Sequence, residues 1–183
     1  MSEELIIRYC SPTLAGIKTA NMFNCSYYDL DTLFNTIRML NRKLSTKSLR
    51  IVPLRIGKST ALIYVYRPKK LAHDLQDELA CPLLEKHGYE CSMPSKCIIR
   101  LMERLQDNVH FPHEIGLFLG YPPEDVQGFI DNKAQKCKYK GCWKVYGDEQ
   151  KARILFARYK KCTDIYTKQH SNGKTIERLT VTM

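Results

Sequence analysis

Residues 111–148, FPHEIGLFLGYPPEDVQGFIDNKAQKCKYKGCWKVYGD, concentrate prolines, glycines, paired thiols and a basic run, and their reading sets the expected fold. Pro112 suits a first helical position, where its missing N–H goes unneeded. Ile115, Leu117, Phe118 and Leu119 then supply an apolar turn that Gly120 can end in the left-handed region. Pro122 and Pro123 fit the opening of a second helix, with Glu124 and Asp125 well placed against its dipole and Val126, Phe129 and Ile130 as its buried stripe. The stretch predicts a helical hairpin with a tight corner, followed by a Cys- and Lys-rich turn.

Outward from that corner, the apolar set Ile98, Leu101, Met102 and Leu105 predicts a helix capped by Ser95. Pro68 predicts one that carries Leu71, Leu75, Leu79 and Leu83 to His87-Gly88, kinked or divided at Pro82. Residues 49–56 and 61–66, β-branched and aromatic around Gly57-Lys58-Ser59, predict a hairpin, with Pro53 marking an edge strand or a bulge. Leu30, Leu33, Phe34, Ile37, Leu40 and Leu44 predict a helix over 26–44, with Ser26 and Asp29 as a capping pair. At the N-terminus, residues 5–9 read as a strand and Ser11-Pro12 as an N-cap with proline at the first helical position, opening a helix to about Phe23. Toward the other end, Asp148 starts a helix along Ala152, Leu155, Phe156, Tyr159 and Cys162, Asn172-Gly173 is a turn, and 175–182 reads as a final short strand. The expected fold class is α+β: a small, mainly antiparallel sheet of three or four strands covered by about seven helices.

With 183 residues, 44% hydrophobic and 26% charged, the chain has the composition of an ordinary globular protein, and a single domain over 1–183 is expected. No stretch approaches the roughly 20 apolar residues of a membrane span, and a cytoplasmic protein is expected. The eight cysteines then read as free thiols rather than a disulfide framework. Charge is uneven. Residues 1–132 hold 16 Lys and Arg against 15 Asp and Glu, whereas residues 133–183 hold 13 against 4, so an anionic partner should meet the basic C-terminal segment.

The PHEIGLFLGYP segment, the Cys- and Lys-rich turn and WKVYGD, together with CSPTLAGIK from Cys10, LNRKLS from Leu40 and LIYVYR from Leu62, resemble the family catalogued as domain of unknown function 3793, found in anaerobic bacteria of the clostridial type. The similarity extends over nearly the whole chain. It implies a bacterial cytosolic protein without an established reaction, and it carries over His113, Glu114, Gly120, Tyr121, Pro122, Trp143 and Gly147 as motif positions only.

Four places could carry chemistry. Cys10, expected between a strand and a helix N-terminus, could be a thiolate or sit beside a bound anion, with Ser11, Thr13 and Lys18 adding donors; the plainer reading is a buried, inert thiol. His113 and Glu114, with His110 just before, could serve acid–base work or bind metal, although adjacent helix residues point about 100° apart and chelate poorly. The plainer reading gives Glu114 to the helix dipole and His113 to a hydrogen bond in the corner. Cys137 and Cys142, with Cys162 a helix away and Cys91-x5-Cys97 upstream, are spaced more loosely than compact zinc knuckles, so a zinc or iron–sulfur site there ranks below a structural role. Lys133, Lys136, Lys138, Tyr139, Lys140, Trp143, Lys144 and Tyr146 interleave cations with stackable rings, as a single-stranded nucleic-acid surface does; the plainer reading is a solvated basic loop anchored by Trp143. A helix-turn-helix reading of the corner is opposed by Glu124 and Asp125, which would face phosphates.

The leading expectation is a cytosolic binding or accessory protein that holds an anionic small molecule, cofactor or protein partner. Ser11, Thr13, Lys18, Lys138, Lys140, Trp143 and Lys144 would contact the ligand, across the Cys10 helix, the His113 corner and the 137–146 loop. Two other classes stay open: a thiol-dependent enzyme using Cys10 with His113 and Glu114, and a nucleic-acid-binding module. No cofactor is named by any motif, because Gly57-Lys58-Ser59 lacks the upstream glycine of a phosphate loop.

Overall fold

Ser2 accepts the Leu5 N–H at 3.3 Å and Glu3 and Glu4 occupy the first turn, so the chain opens in a helix, α1 (Glu3–Leu14), in the structure, a computed structural model that describes residues 1–107 and 111–183. This corrects the strand expected over 5–9 and the helix expected over 12–23. Ile6, Ile7, Cys10 and Leu14 recur at three- and four-residue steps and are all buried, which a strand could not achieve. Pro12 lies in the last turn rather than the first. Gly16, at φ +71°, turns the chain out of the helix, and the Ile17 and Lys18 N–H groups both donate to the Pro12 carbonyl. Residues predicted to be the end of a helix are instead strand β1 (Ala20–Ser26).

The described residues form two compact units, 1–69 with 161–183, and 70–160. The step in charge at residue 133 therefore falls inside the second. In the first unit, Asp29 accepts the Thr32 N–H at 2.7 Å and starts α2 (Leu30–Leu44); Ser26, expected to share the cap, ends β1. A 3₁₀ turn (Ser45–Lys47) leads to the expected hairpin, β2 (Arg50–Ile56) and β3 (Thr60–Tyr66). The sheet order is β1-β3-β2, antiparallel throughout, with Ala20 opposite Tyr66 and Arg50 opposite the same residue. Pro53 stands on the edge strand beside a register shift between Pro53 and Arg55, as a residue without an N–H requires. Leu33, Ile37, Leu40 and Leu44 of α2 join Phe23, Ile51, Ile63 and Val65 of the sheet and the α1 face in one core. That core also takes Ile176 and Leu179. They belong to a short helix capped by the Thr175 hydroxyl, which replaces the strand expected over 175–182.

The second unit is helical apart from one small hairpin. α3 (Pro68–Leu75) begins at Pro68 as expected and stops before Asp77, whose carboxylate takes the Leu79 and Ala80 N–H groups and starts α4 (Ala80–Glu85). The expected division of that helix thus falls ahead of Pro82 rather than at it. α5 (Pro94–Gln106) opens on Pro94 and buries Cys97, Ile98, Leu101 and Leu105. Of the corner's two helices, α6 (Ile115–Phe118) is a single turn closed by Gly120 at φ +69°, and α7 (Pro123–Asp131) follows the two prolines. β4 (Tyr139–Lys140) and β5 (Lys144–Val145) form the hairpin of the Cys- and Lys-rich segment, and α8 (Glu149–Ser171) starts beyond Asp148, which accepts the Lys151 N–H. With α9 (Ile176–Leu179) the described residues contain nine helices, a three-stranded sheet and a two-stranded one: α+β, with more and shorter helices than expected. No helix among them is long and apolar enough to cross a membrane.

Candidate functional site

The C-terminus of α4 is ended by Gly88 at φ +77°, and the Tyr89 N–H returns to the Leu84 carbonyl at 3.2 Å. This hook turns Tyr89 inward, with its ring centroid 5.4 Å from that of Phe118. Its hydroxyl donates to Glu114 Oε1 at 2.9 Å, and Arg104 Nε donates to the same oxygen at 2.6 Å. Glu114 is only 1% exposed, so its charge is sustained by this pair rather than by water. Burial first, and then the Glu114 charge, hold the Tyr89 phenol well above its ordinary range, so that it acts as a donor. For Arg104, burial works against the charge, but the Glu114 hydrogen bond and charge outweigh it and raise the guanidinium further.

One face of this network borders a cavity of 350 Å³. His87, Arg104, Asp107, His113 and Glu114 supply its polar lining, and Phe111 and Ile130 its apolar wall. The Arg104 side chain is 25% exposed, that of Glu114 only 2%. His113 is tilted against the rings of both Phe111 and Phe129, with centroids 5.7 and 5.1 Å away. Glu114 thus corrects its expected role: it does not serve the dipole of a four-residue helix but anchors α6 to α5 and to the Tyr89 hook. His110 lies outside the described residues.

Tyr89 also helps to line a second cavity, of 440 Å³, with Gln76, Cys81, Glu85, Glu90, Cys91 and Ser92. Cys81 and Glu85 are four residues apart on α4, and the hook returns Cys91 beside them. The Cys81 thiol lies 3.6 Å from a Glu85 carboxylate oxygen, and the Cys91 thiol donates to the Cys81 carbonyl at 3.5 Å. Burial, followed by the neighbouring Cys81 thiol, pushes the Cys91 thiol up to about 12.

The other predicted site residues lie elsewhere and are differently committed. Cys10 is in the first unit, inside α1, and 0% exposed; burial drives its thiol far above the ordinary range, opposite to the activated thiolate expected of a helix N-terminus. Ser11 and Thr13 are buried as well, the first hydroxyl bonded to the Ile7 carbonyl and the second to Asn21 Oδ1 at 2.8 Å, and Lys18 is also buried, so none of the three lines an open surface. In the second unit Trp143 is 8% exposed, stacked on Tyr121 at 4.6 Å and edge-on to Phe156 at 4.5 Å. Its Nε1 donates to Asp125 Oδ2 at 2.7 Å, while Asp125 Oδ1 receives the Tyr146 and Gly147 N–H groups at 2.6 and 2.7 Å. Asp125 therefore fastens the hairpin to α7, a role for which helix-dipole reasoning gave no hint. Lys138 and Lys144 donate to the Gly147 and Ala134 carbonyls, and Lys140 is exposed. Cys137, Cys142 and Cys162 do not gather: among the described residues, three close metal-ligating atoms occur at Cys81, Glu85 and Cys91 instead.

The family model described as "Protein of unknown function (DUF3793)" matches residues 6–180. No curated protein and no solved structure matches the chain.

Proposed function

We propose, for a chain that belongs to this family over nearly its whole length, a binding or accessory protein that holds a small anionic ligand in the 350 Å³ cavity of the second unit. The observation that carries this reading is the Arg104 guanidinium, pre-oriented by Glu114 and Tyr89, with part of its surface on the cavity. A cation held in one geometry loses little freedom when it meets a carboxylate or phosphate. His87 and His113 add donors, and Phe111 and Ile130 give an organic ligand an apolar wall. Asp107 faces the same space and would favour a ligand that also carries a donor.

The other two classes draw less support. Trp143 and Tyr121 spend their ring faces on each other rather than on bases, and Cys10 has no exposure through which to meet a substrate. Calorimetric titration with inorganic phosphate and with acetate tests the proposal. Saturable binding is expected for at least one of them, weakened about tenfold by His87→Phe and by His113→Phe, the cost of one lost charge-assisted hydrogen bond. Absence of saturable heat with both anions, or binding indifferent to both substitutions, would overturn it.

A further inference from the structure

We propose that Cys81, Glu85 and Cys91 form a binding site for one thiophilic divalent cation of the zinc or ferrous type. One ligand atom from each of the first three residues lies within 4.8 Å of the other two. Tetrahedral zinc, with Zn–S near 2.3 Å and Zn–O near 2.0 Å, needs its donors roughly 3.5 to 3.8 Å apart. The required closure is therefore about 1 Å. Glu85 is exposed and Cys81 half-buried, so side-chain rotation can supply it without moving the helix.

The supports of these donors come from three independent pieces of backbone. α4 sets Cys81 and Glu85 on one face, four residues apart. The turn closed by the Met93 N–H on the Glu90 carbonyl, at 2.9 Å, fixes the loop that carries Cys91. The first turn of α5 braces that loop, its Cys97 thiol donating to the Glu90 carbonyl at 3.1 Å. The Cys81 thiol contacts the Glu85 carboxylate and the Cys91 thiol contacts the Cys81 carbonyl, so the three residues already face one another.

The donor set also selects the ion. Two sulfurs with one carboxylate suit zinc or ferrous iron and disfavour magnesium and calcium, which take oxygen. Binding replaces the thiol protons with the cation: each coordinating sulfur forms a bond to the metal and releases its proton to solvent. The 440 Å³ cavity, lined further by the polar Gln76, Glu90 and Ser92, gives the ion a path of entry and room for water on its open side.

Cobalt(II) titration of the reduced, metal-free full chain under anaerobic conditions tests the site, because cobalt reports sulfur ligation by its thiolate charge-transfer absorption. One equivalent per chain is expected, with zinc displacing it. Cys91→Ser should remove most of the charge-transfer intensity, whereas Cys142→Ser should leave it unchanged. Since Cys91 is buried and its loss can unfold the loop, the exposed Glu85→Gln is the second variant: it should keep the sulfur band and weaken cobalt affinity at least tenfold. Sub-stoichiometric binding, a band that survives Cys91→Ser, or a band lost in Cys142→Ser would each overturn the assignment.

Discussion

Two arginines, one buried and one half-buried, separate what supports this fold from what it leaves available. Arg67, in the first unit, is 1% exposed and spends all three nitrogens on backbone: Nε on the Thr13 carbonyl at 2.9 Å, Nη2 on Leu14 at 2.6 Å and Nη1 on Lys47 at 2.7 Å. Two of those carbonyls end α1, so the cation also answers the negative end of its dipole. Burial lowers its pKa, with the Tyr166 interaction opposing that shift. Arg104, in the second unit, is paired with a side chain instead, keeps a quarter of its surface, and borders a cavity. Polar groups bonded to their own backbone are architecture; polar groups bonded to one another beside empty space are the ones that can exchange partners.

The largest expected effect breaks the architectural side. Arg67→Met keeps the apolar stem but removes three charge-assisted hydrogen bonds, each worth roughly 1.5–3 kcal/mol, although the Thr13 and Leu14 carbonyls retain the Gly16 and Val181 N–H groups. Part of that is offset because a desolvated charge is also removed, and a net loss of about 3–5 kcal/mol in urea unfolding is expected. A variant within about 1 kcal/mol of the parent would mean that water reaches those carbonyls and that Arg67 is no keystone.

Glu114→Gln comes next. It leaves Arg104 without its counter-charge, but the guanidinium's partial exposure lets solvent take over some of the task, so the loss should be about 2 kcal/mol rather than the 3–5 of a fully buried pair. A double-mutant cycle with Arg104→Gln isolates the coupling. Coupling near zero would remove the distinction drawn between the two arginines, because the ion pair would then be incidental to the corner.

The same distinction explains which parts of the fold are legible in the sequence. The β2–β3 hairpin, α2 and the two-proline opening of α7 follow from local rules, since each is specified by turn residues and periodicity within a few positions. Even the bulge at Pro53 was legible, because a missing N–H has only a few places in a sheet. α1 was misread because Ser11-Pro12 is locally a sound cap and Ser2 is as well; the choice depends on the apolar face of Ile6, Ile7, Cys10 and Leu14 finding a sheet made by later residues. Glu114 finds Tyr89 and Arg104 at separations of 25 and 10 residues, which no local rule ranks. The Cys81–Glu85 pair was visible as an i,i+4 spacing, but counting only intervals between cysteines hides a carboxylate ligand, and the return of Cys91 depends on the Gly88 hook.

The smallest effect tests whether burial or the kind of partner sets these magnitudes. Asp29 belongs to the backbone-bonded class, accepting the Thr32 N–H, yet it stands at the surface. Hydrogen bonding by the Thr32 side chain first, and then by its N–H, holds the carboxyl below the usual carboxylate range. A folded-state pKa below the unfolded one gives a contribution fully present above the unfolded value, near 3.9, and lost as pH falls through the folded value. Asn is an equally good N-cap but does not titrate, so Asp29→Asn should match the parent closely at pH 7 in urea midpoint. Below about pH 4 the parent should lose this part of its stability and the variant should not, shifting the difference between them in favour of the variant. A difference that stays constant between pH 7 and pH 3 would show that the capping carboxylate is not coupled to folding, and that at this exposed position neither the partner nor the charge sets the stability.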